Sequence, residues 1–575
     1  MGGEKINLDN GNDTTEKLNQ EPEEDHIIID KVLFHLGHMG LYQKLLFIGM
    51  FPFGCYMTFV YLVQIFITVT PNNHWCRIPE LANLSMELRR NLSAPITASG
   101  DFDRCMTFDA NWTQVLQTLQ PPPPDSPLVP CRNGWEFELS DIPYHTVSTE
   151  REWVCDRASY VPLAQSLYFV GSVVGGLLFG WMADRFGRVP ALVGSNLIGG
   201  IGGVATIFTT GLADFIFCRF LVGMAYDNCF MIMYILVLEY VDPEDRTMVA
   251  SLSLALFYGT SVTLLPWIAY FIADWRILLW VTSLPLFLVL VAPWLIPEST
   301  RWLVSRGKVN DAIKVLRRFE RVNNVKIPNE LMAEFIITSN NKRLEERQSF
   351  LNVFKSGPLR LATVCLLVAY TGCNMVFDGL VRLSGSFGLD FFLTFSLNSG
   401  TEIPALILLV FILDRWGRRN LTCGSLMMSG LFLVIAMFVQ KGIGQAALVI
   451  FSRFFINMAI TTVTQWNTEI FPTPFRASGS AVLHLCAFFA TMLTPFIVYS
   501  ERVWGLLPLL IFAAIVVVTA GVSLSLPETK GLQLPQSVAD GEKIIVEHSL
   551  CGKPEDGEEG PYQTDVTKRH LNDNV

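Results

Sequence analysis

Twelve apolar blocks run through this chain, each near the roughly 20 residues that a helix needs to span the hydrocarbon of a bilayer. They fall near 45–69, 161–183, 191–211, 214–240, 248–272, 276–296, 359–383, 390–413, 420–440, 444–468, 476–500 and 503–526. Lipid offers the backbone no hydrogen-bond partners, so these blocks are read as helices. The chain is expected to be an all-α membrane protein with twelve transmembrane helices. Composition agrees: 51% of the 575 residues are hydrophobic and 16% charged, against about 25% charged in a soluble domain.

The net charge of −10 comes largely from the ends. EPEEDH at 21–26 and KPEDGEEG at 553–560 read as solvated tails, not as docking surfaces for a basic partner. The first 30 residues are polar and show no cleavable leader, so the first helix is expected to start insertion itself. Lys and Arg crowd the stretch from Arg301 to Arg360 and two short charged turns. The excess of positive charge marks that side as cytoplasmic and, with an even helix count, puts both termini there.

The division that follows is a cytoplasmic tail at 1–44, a six-helix half at 45–296, a linker at 297–358, a second half at 359–526, and a tail at 527–575. The loop at 70–160 then lies outside. It holds sequons at Asn83, Asn91 and Asn111 and four cysteines, Cys76, Cys105, Cys131 and Cys155. In an oxidising compartment these cysteines are expected to form two disulfides, with three pairings open. Sequons and cysteines clustered in one loop support a cell-surface route.

Landmarks repeat at a fixed offset of 230 residues. DRFGR at Asp184–Arg188 returns as DRWGRR from Asp414, Glu239 as Glu469, Arg246 as Arg476, and PEST at 297–300 as PETK at 527–530. The chain is therefore read as two related six-helix halves, which implies a site between them near the midplane and rocking of one half on the other. The gating candidates are Asp184, Arg188, Glu239, Arg246, Asp414, Arg418, Glu469 and Arg476. In this reading, ion pairs at the cytoplasmic rim latch the inner face shut. A single DR-x-GR copy would be a tight turn and no more; two copies with matching Glu and Arg favour the latch.

DRFGR and DRWGRR resemble the signature loops of the major facilitator superfamily. PESTRWL at 297–303, EWVCD at 152–156, NTEIFPTPFR at 467–476, LPETKG at 526–531 and the Cys-rich loop resemble the organic cation, anion and carnitine transporter family, closer to its cation and zwitterion branch. The likeness runs from about Leu41 to Leu532. It implies the major facilitator fold and a plasma-membrane solute carrier that moves small organic ions by alternating access without ATP. The chain has no G-x-x-x-x-G-K-[ST] loop and no metal-spaced His/Cys cluster. No enzymatic activity, cofactor, metal or nucleic-acid partner is expected; the expected partners are the lipid bilayer and a small organic cation or zwitterion.

Acids at membrane depth cost about 2.5–3.5 kcal/mol on insertion scales and generally face a cavity or a partner. Asp227 lies 12 residues before Glu239, about 18 Å along a helix, and Glu402 lies 12 before Asp414; both read as midplane residues with no Lys or Arg near in sequence. In YTGCNMVFDGLVR, Tyr370 and Phe377 share a face, with Asp378 beside them. The matching places in organic cation carriers hold cavity-facing aromatics, which attract cations. Phe230 and Tyr234, on the helix of Asp227, and Phe488 complete the substrate-binding candidates.

The chain departs from the family at three of these places. Phe488 stands where cation carriers have Asp and anion carriers Arg, Asp378 where cation carriers usually have Gln, and Asp227 where they usually have Lys. The rearranged acids argue for a cationic or zwitterionic amine: carnitine-like, a biogenic amine, carcinine or β-alanine-like. Arg382, four residues after Asp378, offers two alternatives: neutralising that acid, or holding a substrate carboxylate. His484 reads as hydrogen-bonded to a neighbour rather than as a proton relay, and Gly171, Gly175, Gly176 and Gly180 as a close helix contact. An organic anion exchanger using Arg219 and Arg453, and a non-transporting receptor of the same fold, are the other readings; Arg219 and Arg453 share an RF pair that suggests scaffolding.

Overall fold

The computed structural model describes residues 29–548 apart from 30, 38, 98–99, 101, 342–349, 473–474, 533 and 536. The acidic segments at 21–26 and 553–560 lie outside the described residues, as does the side chain of Asp414.

Among the described residues, eleven helices are long and apolar enough to cross a membrane. In chain order they are Leu41–Thr68, Cys155–Phe186, Arg188–Ile207, Leu212–Leu238, Met248–Ile272 and Trp275–Leu295, then Gly357–Gly385, Phe391–Leu413, Arg418–Phe438, Ile443–Ile470 and Ser478–Arg502. The twelfth, Leu507–Ser523, is apolar but shorter. The first helix begins at Leu41, ahead of the apolar run, because its polar residues have protein partners. Asn323 accepts from the Tyr42 backbone N–H at 2.8 Å and donates to Gln43 at 2.9 Å. Asn323 ends the amphipathic linker helix Val309–Asn323, which buries Ala312, Leu316 and Phe319.

Two six-helix halves result. The second and fourth helices approach closely where glycine requires it: a Cβ on Gly171 would lie 2.2 Å from the Phe220 carbonyl oxygen, and one on Gly175 2.0 Å from that of Met224. Gly176 instead faces Leu485 of the eleventh helix, and Gly180 has open space beside it. Three of the four glycines therefore make a close helix contact, two with the fourth helix and one with the eleventh; Gly180 does not.

The long loop folds as a small module. His74–Cys76 pairs antiparallel with Trp135–Phe137, and Met106–Phe108 with Leu128–Pro130. Of the three possible pairings, the structure has Cys76–Cys131 and Cys105–Cys155. The module is tied to the first helix: Tyr144 Oη donates to the Phe66 carbonyl at 3.1 Å, and Ser148 Oγ to that of Thr68 at 2.7 Å. Burial pushes the His74 imidazole down to about 4, which keeps it neutral beneath the module. Asn83, Asn91 and Asn111 are all exposed. Asn111 also caps the helix Trp112–Thr118 through its side-chain oxygen.

Candidate functional site

On the side of the charged turns, the two halves build the same cluster twice. Gly187 and Gly417 have φ of 116° and 79°, which a side chain would strain. Each lets a glutamate press onto the turn. Glu298 accepts from the N–H groups of Arg188 and Val189 at 2.8 and 3.1 Å, and Glu528 from those of Arg418 and Arg419 at the same two distances. A carboxylate over exposed helix N–H groups is the favourable sign for the helix dipole. Burial pushes the Glu298 carboxyl above its ordinary range, against those N–H bonds. These glutamates are the E of PEST and PETK; their position in the repeat was the available signal for a role that the sequence reading missed.

The gating candidates gather around these turns. Arg188 pairs with Asp184 at 3.1 Å and approaches Glu239 to 3.7 Å. Arg418 bonds Glu469 through Nη2 at 2.9 Å and Nε at 3.1 Å. Arg246 donates to the Val241 carbonyl and Arg476 to that of Phe471, again five residues back in each half. These contacts each close within one half.

On the loop side the halves are stitched together. Tyr61 Oη donates to Asp378 Oδ1 at 2.5 Å, Arg382 Nη1 to Gln165 at 2.7 Å, and Ser166 Oγ to the Met492 carbonyl at 2.6 Å. Phe66 packs among Phe391, Phe392 and Phe395. Arg382 and Gln165 line a cavity of about 210 Å³ that is bounded by the loop-side ends of the helices, with Trp153, Phe391 and Arg502 around it.

Packing separates the acids at membrane depth sharply. Asp378 is bonded by Arg382 Nε at 2.7 Å, and both side chains are almost fully buried. Of the two alternatives for Arg382, the structure has the neutralising pair. Glu402 corrects the sequence reading: Arg453 Nη2 reaches it at 3.0 Å, with both side chains buried. The pair is 51 residues apart in sequence, which is why it was invisible there. Arg453 also lies 4.2 Å from the Phe377 ring centroid, so that ring already has a cation.

Asp227 differs. It sits with φ of 66° between the half-helices Leu212–Ala225 and Asn228–Leu238, and its side chain makes no cap. Its nearest charged partner is His484, at 4.0 Å, and the two side chains are 20% and 28% exposed. Tyr370 Oη lies 3.2 Å from the His484 ring nitrogens. Aromatic rings continue from there: His484 to Phe488 at 6.2 Å, Phe488 to Tyr226 at 5.3 Å, and Tyr226 stacked on Tyr61 at 4.7 Å. Tyr226, Tyr61 and His484 thus join the predicted Asp227, Tyr370 and Phe488. Phe230 is fully buried against Tyr234, at 5.7 Å between rings. Among the described residues no group of three or more His, Cys, Asp or Glu is placed to hold a metal.

Two helix bundles with an asymmetric polar centre and twin charged turns define a multi-pass membrane transporter. The sugar (and other) transporter family model matches residues 135–538, and the chain belongs to that family. It is 30% identical over 536 residues to mouse solute carrier family 22 member 2, covering 90% of this chain and 96% of the relative. Bovine solute carrier family 22 member 1 is 30% identical over 532 residues, covering 90% and 93%. A Drosophila melanogaster β-alanine transporter is 29% identical over 550 residues, covering 91% and 90%. The fold matches the proton:xylose symporter XylE with a TM-score of 0.52 at 20% identity, over 67% of this chain and 89% of that one. A partially occluded inward-open XylE from E. coli gives 0.54 at 16% identity, over 89% and 100%. The protein is a transporter of the major facilitator superfamily and no enzyme.

Proposed function

We propose that this protein carries small organic cations or amine zwitterions across the plasma membrane by alternating access, with both termini cytoplasmic. The observation that carries the reading is Asp227. Among the described residues it is the midplane carboxylate without an arginine partner, and it stands beside aromatic rings. A substrate ammonium supplies the missing countercharge, and the faces of Tyr226, Tyr370 and Phe488 add cation–π attraction of about 0.5–2 kcal/mol each. The relative named as a β-alanine transporter supports an amine zwitterion within this class. The two halves, at 45–296 and 359–526, rock about this site, and the turn clusters hold each half's rim rigid as they do so.

The anion-exchange reading loses its cations to internal partners. Arg382 and Arg453 each hold a carboxylate of the protein itself. Arg219 has none among the described residues, but the cavity beside it is only about 10 Å³, room for one water and not for an organic anion. Uptake of radiolabelled choline, histamine, β-alanine and p-aminohippurate into cells expressing the protein, against empty-vector cells, tests the proposal. Uptake of an amine that excess p-aminohippurate does not inhibit is the expected result. Uptake of p-aminohippurate with indifference to amines reverses the assignment.

A further inference from the structure

We infer that Asp227, His484 and Tyr370 form a proton site and that a bound substrate ammonium displaces its proton, making the protein an exchanger of protons for amines. The inference rests on the reading of Asp227 as the ammonium's countercharge.

The geometry has three parts. First, the Asp227 carboxylate and the His484 imidazole face each other at 4.0 Å across the division between the halves, Asp227 from the fourth helix and His484 from the eleventh. Second, Tyr370 Oη, from the seventh helix, lies 3.2 Å from both imidazole nitrogens and holds the ring in place. A phenol both donates and accepts, so it serves the neutral and the protonated imidazole alike. Third, both charged side chains keep part of their surface open, 20% and 28%, so water and a ligand reach them.

Around the pair, Tyr258 of the fifth helix and Cys229 of the fourth also interact electrostatically with Asp227. On the helices packed against the eleventh, the facing titratable groups are Tyr370 from the seventh, and Asp227 and Tyr226 from the fourth. The second helix presents Gly176 to Leu485 there. Asp378 of the seventh helix is held by Arg382, and Glu469 of the tenth by Arg418. Just before its own helix, Arg476 is occupied at the Phe471 carbonyl; within the helix Cys486 is titratable, and Tyr499, Glu501 and Arg502 stand at its loop-side end.

The charge balance is one for one. In the empty carrier, protonated His484 is the countercharge of Asp227 and draws the halves together. An incoming ammonium takes that place beside the carboxylate, and His484 releases its proton to water. The carboxylate keeps a single positive partner throughout, so the loaded and proton-bearing forms are both free to cross, and an amine moves one way as a proton moves the other.

Two measurements test this. In purified protein labelled with 15N-histidine, with the His484 signal assigned by its loss in H484Q, the imidazole should bind its proton about tenfold more weakly in D227N than in wild type. Equal midpoints overturn the proton site, whatever the transport result. In proteoliposomes, choline is the probe because its charge does not titrate, with β-alanine in its place if choline is not carried. With potassium and valinomycin clamping the voltage, a lumen one pH unit more acid should accumulate choline about tenfold, and H484Q should lose that response. Wild-type uptake indifferent to the gradient overturns exchange while leaving the cation reading intact. D227N uptake equal to wild type instead removes the cation reading itself.

Discussion

The fourth and tenth helices are counterparts in the two halves, and they have diverged at the centre. In the tenth, Arg453 and Glu469 are 16 positions apart and the helix runs unbroken over Ile443–Ile470. In the fourth, Arg219 and Glu239 are 20 positions apart. The surplus is about one helical turn, and the chain accommodates it by breaking between Ala225 and Asn228. The break puts Asp227 where a continuous helix would bury a packing residue. Their arginines differ in the same way: Arg453 holds Glu402, whereas Arg219 donates to Thr206 and, among the described residues, has no carboxylate partner. The second half pairs Glu402 with its own Arg453, whereas Asp227 of the first half has His484 of the other half as its nearest charged partner. Interrupted helices near the midplane are where transporters of this kind place substrate.

The sharpest way to break that contrast is to remove each half's partner. Glu402→Gln leaves Arg453 charged and buried, and removing one member of a buried pair costs about 3–5 kcal/mol. Thermal unfolding of the solubilised protein should therefore fall steeply for this variant. Arg219→Met, which strands no carboxylate, should be tolerated far better. Equal losses in both would mean that Arg453 is no more a scaffold than Arg219.

Next in size is the binding side of the comparison. Asp227→Asn should raise the Michaelis constant for a cationic substrate roughly tenfold or more, about 1.4 kcal/mol per decade, with unfolding temperature little changed. Asp227→Glu should be milder. Asp378→Asn, by contrast, strands buried Arg382 and should show as lost folded protein at the cell surface. An Asp227→Asn carrier with wild-type affinity would place the substrate elsewhere.

A smaller effect is expected at the charged turns. Arg418 grips Glu469 with two short bonds, whereas Arg188 is 3.7 Å from Glu239. Turnover per molecule at the surface, from uptake and surface biotinylation on the same cells, should fall more in Glu469→Gln than in Glu239→Gln. Asp184→Asn removes a partly exposed pair, which is worth ~0.2–1 kcal/mol, and should slow turnover less than either. The smallest effect concerns the loop that only the first half carries. Changing Asn83, Asn91 and Asn111 to Gln should abolish the gel shift on enzymatic deglycosylation and leave the Michaelis constant unchanged. A persistent shift would put the glycans, or the topology, elsewhere.

The repeat explains how much of this could be read from the sequence. DRFGR and DRWGRR, with PEST and PETK, marked both turn clusters, because each cluster is built from short motifs at fixed offsets. The sequence pointed to Arg188 and Arg418 but passed over Glu298 and Glu528, whose carboxylates act on backbone N–H groups that no side-chain pattern displays. Asp227 stood out as a charge at depth; its neighbour Tyr226 did not, since a tyrosine in an apolar run carries no mark of which way it faces.

The sequence by itself determined the number of apolar spans, their grouping into two halves, the Cys-rich loop and the charged turns. Each follows from run length or local spacing, and hydrocarbon thickness and backbone hydrogen bonding leave such runs little alternative to the helix. Only the tertiary structure decided which acids have an arginine partner and which has a histidine instead. Glu402 and Arg453, Tyr61 and Asp378, and Asp227 and His484 meet across 51, 317 and 257 residues of chain. A Coulomb interaction is set by distance in space, and no local pattern encodes which helix faces which.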